Sequence, residues 1–277
     1  MKKVLFFIVL TLLFGCKKNS FKINEQTFHI KRNVAYGAAP EQILDIYFHD
    51  KLQSNAGTFV LIHGGGWRGG DKRELKSFMM ELMKKFPTYT FANINYSLAG
   101  YQNCALPTQT DEIDMALKFL EENSKQFNLN PEFVLLGNSA GGHLAALYTY
   151  KYRNNQVKSA VNIVGPVDLT DEQFKNYVDY EFVNRYLVNP SDLDSGVTKA
   201  QYASPVYWMK NSPIPLISFF GKTDEVIAPS QGTLMEKLLN SGRAKGKVYY
   251  FPGGHESWRS GTDQDFVIEK IQDFLKN

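Results

Sequence analysis

The stretch Glu132-Phe133-Val134-Leu135-Leu136-Gly137-Asn138-Ser139-Ala140-Gly141-Gly142-His143-Leu144-Ala145-Ala146-Leu147 changes character in its middle. Glu132 to Leu136 is a short, nearly continuous apolar run, the pattern of a strand buried on both faces. His143 to Leu147 suits a helix. Between them Gly137, Ser139 and Gly141 give G-x-S-x-G in a strand–turn–helix context. A residue at so sharp a turn sits in strained backbone, and a side chain two positions before or after it would collide with the neighbouring strand or helix. The glycines answer that constraint. Ser139 is then lifted above the sheet, with a helix N-terminus beneath any negative charge that develops there.

Outward from this turn, strand-like and helix-like segments alternate. Strands are expected over Thr27–Lys31, Ile43–Phe48, Thr58–Ile62, Tyr89–Tyr96, Ala160–Val164, Pro215–Phe220 and Lys247–Phe251, making eight with Glu132–Leu136. Helical spacing links Leu75, Phe78, Met79, Leu82 and Phe86, with Asp71 and Glu74 placed as a cap and its partner. It returns at Ile113, Ala116, Leu117 and Leu120, and at Val267, Ile271, Phe274 and Leu275. This alternation predicts an α/β fold with a mostly parallel sheet. Residues 168–213, rich in Tyr, Phe and Asn and without a strand, read as a small lid-like insertion in a single domain spanning 27–277.

The third strand runs into a second glycine-rich turn, His63-Gly64-Gly65-Gly66-Trp67-Arg68-Gly69-Gly70-Asp71. Gly64, Gly66 and Gly69 formally satisfy G-x-G-x-x-G. A dinucleotide site, however, needs an acidic residue about 20 positions on, and the next strand ends Asn93-Ile94-Asn95-Tyr96. A phosphate-binding Walker loop needs Lys where Asp71 stands. A tight turn that merely requires glycine is the bland alternative.

A serine hydroxyl needs a base to become a nucleophile, and the base needs an orienting acid. His29 and His49 lie early, His63 is inside the glycine turn, and His143 is on the helix after Ser139, where packing or local bonding is expected. His255, just past the last strand in Pro252-Gly253-Gly254-His255-Glu256, is left as the base. Asp224 follows the preceding strand in Gly221-Lys222-Thr223-Asp224-Glu225 and is the first choice for the acid. Glu225 is its rival and Asp168 a distant third. Both chosen residues stand at carboxyl ends of strands, where sites form in open α/β sheets.

Together the two glycine turns, the acid loop and the histidine loop resemble the α/β-hydrolase superfamily over roughly residues 44–274. Gly64 to Lys72, Asn130-Pro131-Glu132 and Asn138 to Ala146 look most like the bifunctional feruloyl/acetyl esterase group. Hormone-sensitive-lipase-like esterases are a second likeness. They usually carry Asp before the serine, where this chain has Asn138, and their helical N-terminal cap would not fit before Thr58. The resemblance implies an α/β-hydrolase fold and a serine carboxylic ester hydrolase without metal or organic cofactor. Ser139 would be the nucleophile, His255 the base and then acid, and Asp224 the orienter. The N–H groups of Gly65, Gly66 and Ala140 would receive the oxyanion. Small-molecule or carbohydrate esters, acetyl or feruloyl, are the implied substrates. Amide hydrolysis by a peptidase or arylformamidase is the alternative, since arylformamidases also carry a His-Gly-Gly-x-Trp turn; a non-catalytic binding module on the same fold is another. Trp67, Trp258, Phe174, Tyr177, Tyr180, Phe182, Tyr186, Tyr207 and Trp208 can stack on a sugar or phenolic acid, or simply form the core of the insertion.

The remaining composition narrows the setting. The 277 residues are 43% hydrophobic and 21% charged, with a net charge of +3, ordinary for a globular protein. No basic block interrupts the chain, which argues against nucleic acid. Two cysteines, Cys16 and Cys104, exclude a disulfide scaffold and a thiolate zinc site. Lys2 and Lys3 precede an apolar run from Val4 to Phe14, too short to span a bilayer comfortably and suited to an export signal. Leu13-Phe14-Gly15-Cys16 resembles a bacterial lipobox. That likeness implies a signal over 1–15, an acylated Cys16, a tether over 16–26 and an exported protein lipid-anchored to a membrane of the bacterial cell envelope. An uncleaved anchor or an ordinary signal peptide is the alternative. Cys104 is expected to be a packed thiol.

Overall fold

In the computed structural model, residues 19–50, 54–210 and 212–276 are described. The signal region 1–15, Cys16 and the start of the tether lie outside them. Among the described residues nine strands form one sheet: β1 (Ser20–Ile23), β2 (Gln26–Ala35), β3 (Ile43–Phe48), β4 (Thr58–Ile62), β5 (Thr90–Ile94), β6 (Phe133–Asn138), β7 (Val157–Ile163), β8 (Ser212–Gly221) and β9 (Ala244–Phe251). Their order is β1-β2-β3-β5-β4-β6-β7-β8-β9. Neighbours among the first four in that order are antiparallel, and from β5 to β9 neighbours run parallel.

The expected count of eight strands is corrected to nine. The extra strand falls inside the segment read as tether. Phe21 and Ile23 alternate with polar residues, and a two-residue turn at Asn24 and Glu25, both at positive φ (46° and 64°), folds β1 back on β2. That turn geometry matches the twist of a hairpin. Glu25 supplies it in place of the usual glycine, so the turn carried no sequence signal.

Among the described residues eight helices pack on the sheet and its insertion: α1 (Lys76–Lys85), α2 (Thr108–Glu122), α3 (Ala140–Tyr152), α4 (Tyr180–Tyr186), α5 (Lys199–Ala203), α6 (Pro205–Trp208), α7 (Pro229–Asn240) and α8 (Gly261–Lys276). One core joins the inner faces of α2, α3 and α7 to the sheet, and the insertion packs onto it. The other seats α1 and α8 through Phe78, Met79, Leu82, Val267 and Ile271, the residues whose helical spacing marked them. Asp71 caps a short 3-10 turn (Lys72–Leu75) by accepting the Arg73 N–H (2.9 Å), and α1 begins after it. The expected helix therefore starts one turn late. The insertion is helical, α4 to α6 with short 3-10 turns, and its last two residues already belong to β8. No helix among the described residues is long and apolar enough to cross a membrane.

Candidate active site

The turn between β6 and α3 holds Ser139 at φ 52° and ψ −124°. A Cβ on Gly137 would sit 2.2 Å from the Gly141 carbonyl oxygen, and one on Gly141 would sit 2.1 Å from that of Ile62. Both glycines are therefore required by close backbone approach. The Ser139 N–H donates to Ile163 O (2.8 Å), which fixes the turn against β7. All of α3 from Ala140 to Tyr150 is buried, so the helix under Ser139 is held on every side.

Two loops at the same end of the sheet bring the other groups in. The Asp224 carboxylate follows β8; its Oδ1 accepts the N–H groups of Val226 (2.8 Å) and Ile227 (2.9 Å). Its Oδ2 is 2.8 Å from His255 Nδ1. An ionised carboxylate only accepts, so Nδ1 carries the proton and Nε2 presents its lone pair to the Ser139 hydroxyl, 3.1 Å away. The His255 loop is pinned from behind: the Trp258 indole N–H donates to His255 O (2.9 Å), and Trp258 is fully buried against Phe78. The structure thus brings Ser139, His255 and Asp224 into one line. Glu225 points into solvent. Asp168 is engaged in its own turn, accepting the Thr170 N–H and Oγ–H (2.8 and 2.6 Å).

The glycine turn lies against Ser139. The Gly64 N–H donates to Asn138 Oδ1 (3.1 Å), and a Cβ on Gly64 would fall 3.2 Å from Ser139 Cβ. Asn138 thereby ties the two glycine turns to each other. Arg68 and Gly69 close the loop by donating to Gly65 O. The N–H groups of Gly65 and Gly66 find no acceptor among the described residues. Ala140 opens α3, so its N–H has no preceding helical turn to bond. The three N–H groups named for the oxyanion are therefore free to donate.

Trp67 anchors this turn. Its carbonyl accepts from Ala99 N–H (2.9 Å) and Gln109 Nε2 (2.7 Å), and its indole N–H donates to His143 Nδ1 (3.1 Å). The Nε2–H of His143 reaches on to Ala203 O (2.7 Å) in α5. His143 was expected to bond locally; instead it spans from the glycine turn to the insertion, linking residues 67 and 203. Only its position four residues past Ser139 hinted at a role. At the far end of the turn Lys72 is buried, with Nζ 3.1 Å from Asp45 Oδ1 and 2.7 Å from Asn33 Oδ1. The insertion also touches the turn directly, through an Arg68–Asp179 ion pair (2.6 Å) and the Tyr177 hydroxyl beside Gly66. Cys104 is half-buried and forms no disulfide.

Residues 44–239 match the family model described as BD-FAE. Esterase LipQ of Mycobacterium tuberculosis is 25% identical over 262 residues, 88% of this chain and 61% of that protein. Isoprenylcysteine alpha-carbonyl methylesterase ICME of Arabidopsis thaliana is 24% identical over 250 residues, 81% of this chain and 56% of that one. The chain spans about three fifths of the length of these curated relatives. Among solved structures, a truncated carbohydrate esterase from gut microbiota superposes with a TM-score of 0.74 at 18% identity, covering 90% of this chain and 95% of that one. Esterase B of Lactobacillus rhamnosis gives 0.72 at 19% identity, covering 92% and 88%. These likenesses show the fold.

Desolvation of the fully buried His143 lowers its pKa to about 4, against 6.5 for an ordinary histidine, outweighing the bond to Ala203 O. Because the folded value lies below the unfolded one, its contribution to stability is complete above pH 6.5 and is lost as pH falls toward 4. Thermal unfolding measured from pH 7.5 to 4 should show this loss, on the order of 3 kcal/mol for that one residue. The slope should flatten in His143→Gln, which has no imidazole to charge.

Proposed function

This chain belongs to the BD-FAE family, and from that membership and the Ser139–His255–Asp224 line we propose that it is a serine carboxylic ester hydrolase working through an acyl-enzyme. The observation that carries the reading is the pair of contacts on one imidazole, 2.8 Å to Asp224 and 3.1 Å to Ser139. In the proposed reaction His255 Nε2 takes the hydroxyl proton as Ser139 Oγ attacks the ester carbonyl. Asp224 holds the tautomer that makes this possible and steadies the imidazolium. The oxyanion forms where the Gly65, Gly66 and Ala140 N–H groups converge, each such donor supplying roughly 3–4 kcal/mol of transition-state stabilisation. His255 then returns the proton to the departing alcohol. Water, deprotonated by the same nitrogen, attacks the acyl-Ser139 ester and releases the acid.

The proposed substrates are acetyl or feruloyl esters of carbohydrates. Family membership supports that class, as do the partly buried rings of Tyr177 and Phe182 near the glycine turn; Trp67 and Trp258 are buried and bonded within the protein. The proposed setting is the bacterial cell envelope, with Cys16 acylated; the Lys2-Lys3 start, the apolar run and Leu13-Phe14-Gly15-Cys16 support it.

Two sets of variants test these readings. On p-nitrophenyl acetate, Asp224→Asn is expected to lower kcat about 10³–10⁴-fold and Ser139→Ala at least as much, with circular dichroism unchanged. Glu225→Gln should stay within about twofold, as surface substitutions do. Full activity of Ser139→Ala, or an equal loss at Glu225, contradicts the assignment. For the anchor, the wild type expressed with its own N-terminus should sediment with membranes and carry lipid mass on Cys16. Cys16→Ser should carry none; an unlipidated wild type in the soluble fraction contradicts the anchor and leaves the chemistry standing.

A further inference from the structure

The loop after β5 holds a large aromatic side chain out in solvent. Tyr101 is 86% exposed. Its ring meets a neighbour, Tyr186 of α4, edge-on with centroids 5.5 Å apart. Tyr186 lies 5.1 Å from Phe182, and the Arg68 guanidinium sits 4.8 Å from the centre of the Phe182 ring. Backbone bonds hold this loop to both sides of the site. Ala99 N–H donates to Trp67 O, while Ala105 and Leu106 donate to Tyr186 O and Leu187 O (3.0 and 2.7 Å). The rings therefore form a row leading from the glycine turn outward, at the carboxyl end of the sheet where Ser139 stands.

Gln102 and Asn103, which follow Tyr101 in the chain, line a cleft of about 370 Å³ with Ser97, Thr108, Asn189, Leu98 and Cys104. That volume is within the range of small-molecule sites, about 300–1,000 Å³. None of these side chains carries a formal charge. Gln102 and Asn103 are both exposed, so their side-chain amides stand in solvent at the cleft. An acyl chain would call for apolar walls, and an ionic peptide or a phosphate for a charged partner. Neutral amides and hydroxyls next to an exposed ring face suit a ligand that is uncharged, rich in hydroxyl groups and apolar on its C–H faces. A saccharide has that chemistry.

We infer that Tyr101, backed by Tyr186, and the neighbouring Gln102–Asn103 cleft form a saccharide subsite that seats the alcohol part of the ester outside the catalytic line. The identification of the ligand as the alcohol part rests on the esterase reading; the binding of sugar by this surface does not. Tyr101 then selects for glycan-borne esters.

Tyr101→Ala and Asn103→Ala remove ring and amide at exposed positions with no share in the core. Two measurements read the consequence. In NMR titrations with unacetylated xylotetraose and cellotetraose, the wild type should bind at least one of them, and Tyr101→Ala should weaken that binding about three- to tenfold. In kinetics, the ratio of kcat/KM for a partially acetylated xylo-oligosaccharide to that for p-nitrophenyl acetate should fall by a similar factor, through KM. No binding of either tetraose by the wild type, or an unchanged ratio and affinity in both variants, overturns the subsite. Equal losses on both esters overturn it as well, since the ring would then be supporting the catalytic line. If no ester is turned over but tetraose binding persists and depends on Tyr101, the esterase reading fails and the sugar site stands.

Discussion

One backbone conformation organises this molecule. Ser139 at φ 52° and ψ −124° lies in a region that costs a non-glycine residue about 1–3 kcal/mol, and it persists because the surroundings leave no alternative. Gly137 and Gly141 remove the two side chains that would collide, β7 accepts the Ser139 N–H, and α3 is buried on all sides beneath it. The parallel strands β4 and β7 flank β6, and the loops after β8 and β9 deliver Asp224 and His255 to the Ser139 hydroxyl. The sheet, in this sense, is a clamp around a single strained residue.

The glycine turn is held by different means. It has no strand or helix of its own between β4 and the 3-10 turn at Lys72, so polar side chains from distant segments do the fastening: Asn138 at Gly64, Gln109 and His143 at Trp67, and the buried Lys72–Asp45 pair at its end. His143 works because it is neutral. Its Nδ1 accepts and its Nε2 donates, a combination lost on protonation. The same imidazole ties the turn to α5, while Arg68 and Asp179 tie it to the segment before α4. The insertion is thus fastened to the glycine turn that lies against Ser139.

Much of this was legible in the residues. The strand–turn–helix around Ser139, the helical faces of α1, α2 and α8, and the order of serine, acid and histidine all come from local patterns that tertiary context reinforced. Asp224 and Glu225 are adjacent, and the sequence left Glu225 as a rival; the structure shows the Val226 and Ile227 N–H groups that hold Asp224, while Glu225 is exposed. The polar fastenings were not legible. Trp67 to His143, Arg68 to Asp179 and Lys72 to Asp45 join residues far apart in sequence, and no spacing rule reports them. β1 was missed for a local reason: four residues and a turn without glycine fall below what alternation can signal. Tyr101 was not singled out, because exposure is a property of the folded chain.

The central claim is that Ser139, held in this turn with His255 and Asp224 behind it, is the one nucleophile of the proposed reaction. Reaction of the wild type with a fluorophosphonate, followed by peptide mass spectrometry, tests it most directly. The account predicts a single phosphonyl adduct on the peptide carrying Ser139, with ester turnover disappearing in step with labelling. An adduct on any other residue, or undiminished turnover by fully labelled protein, would contradict it.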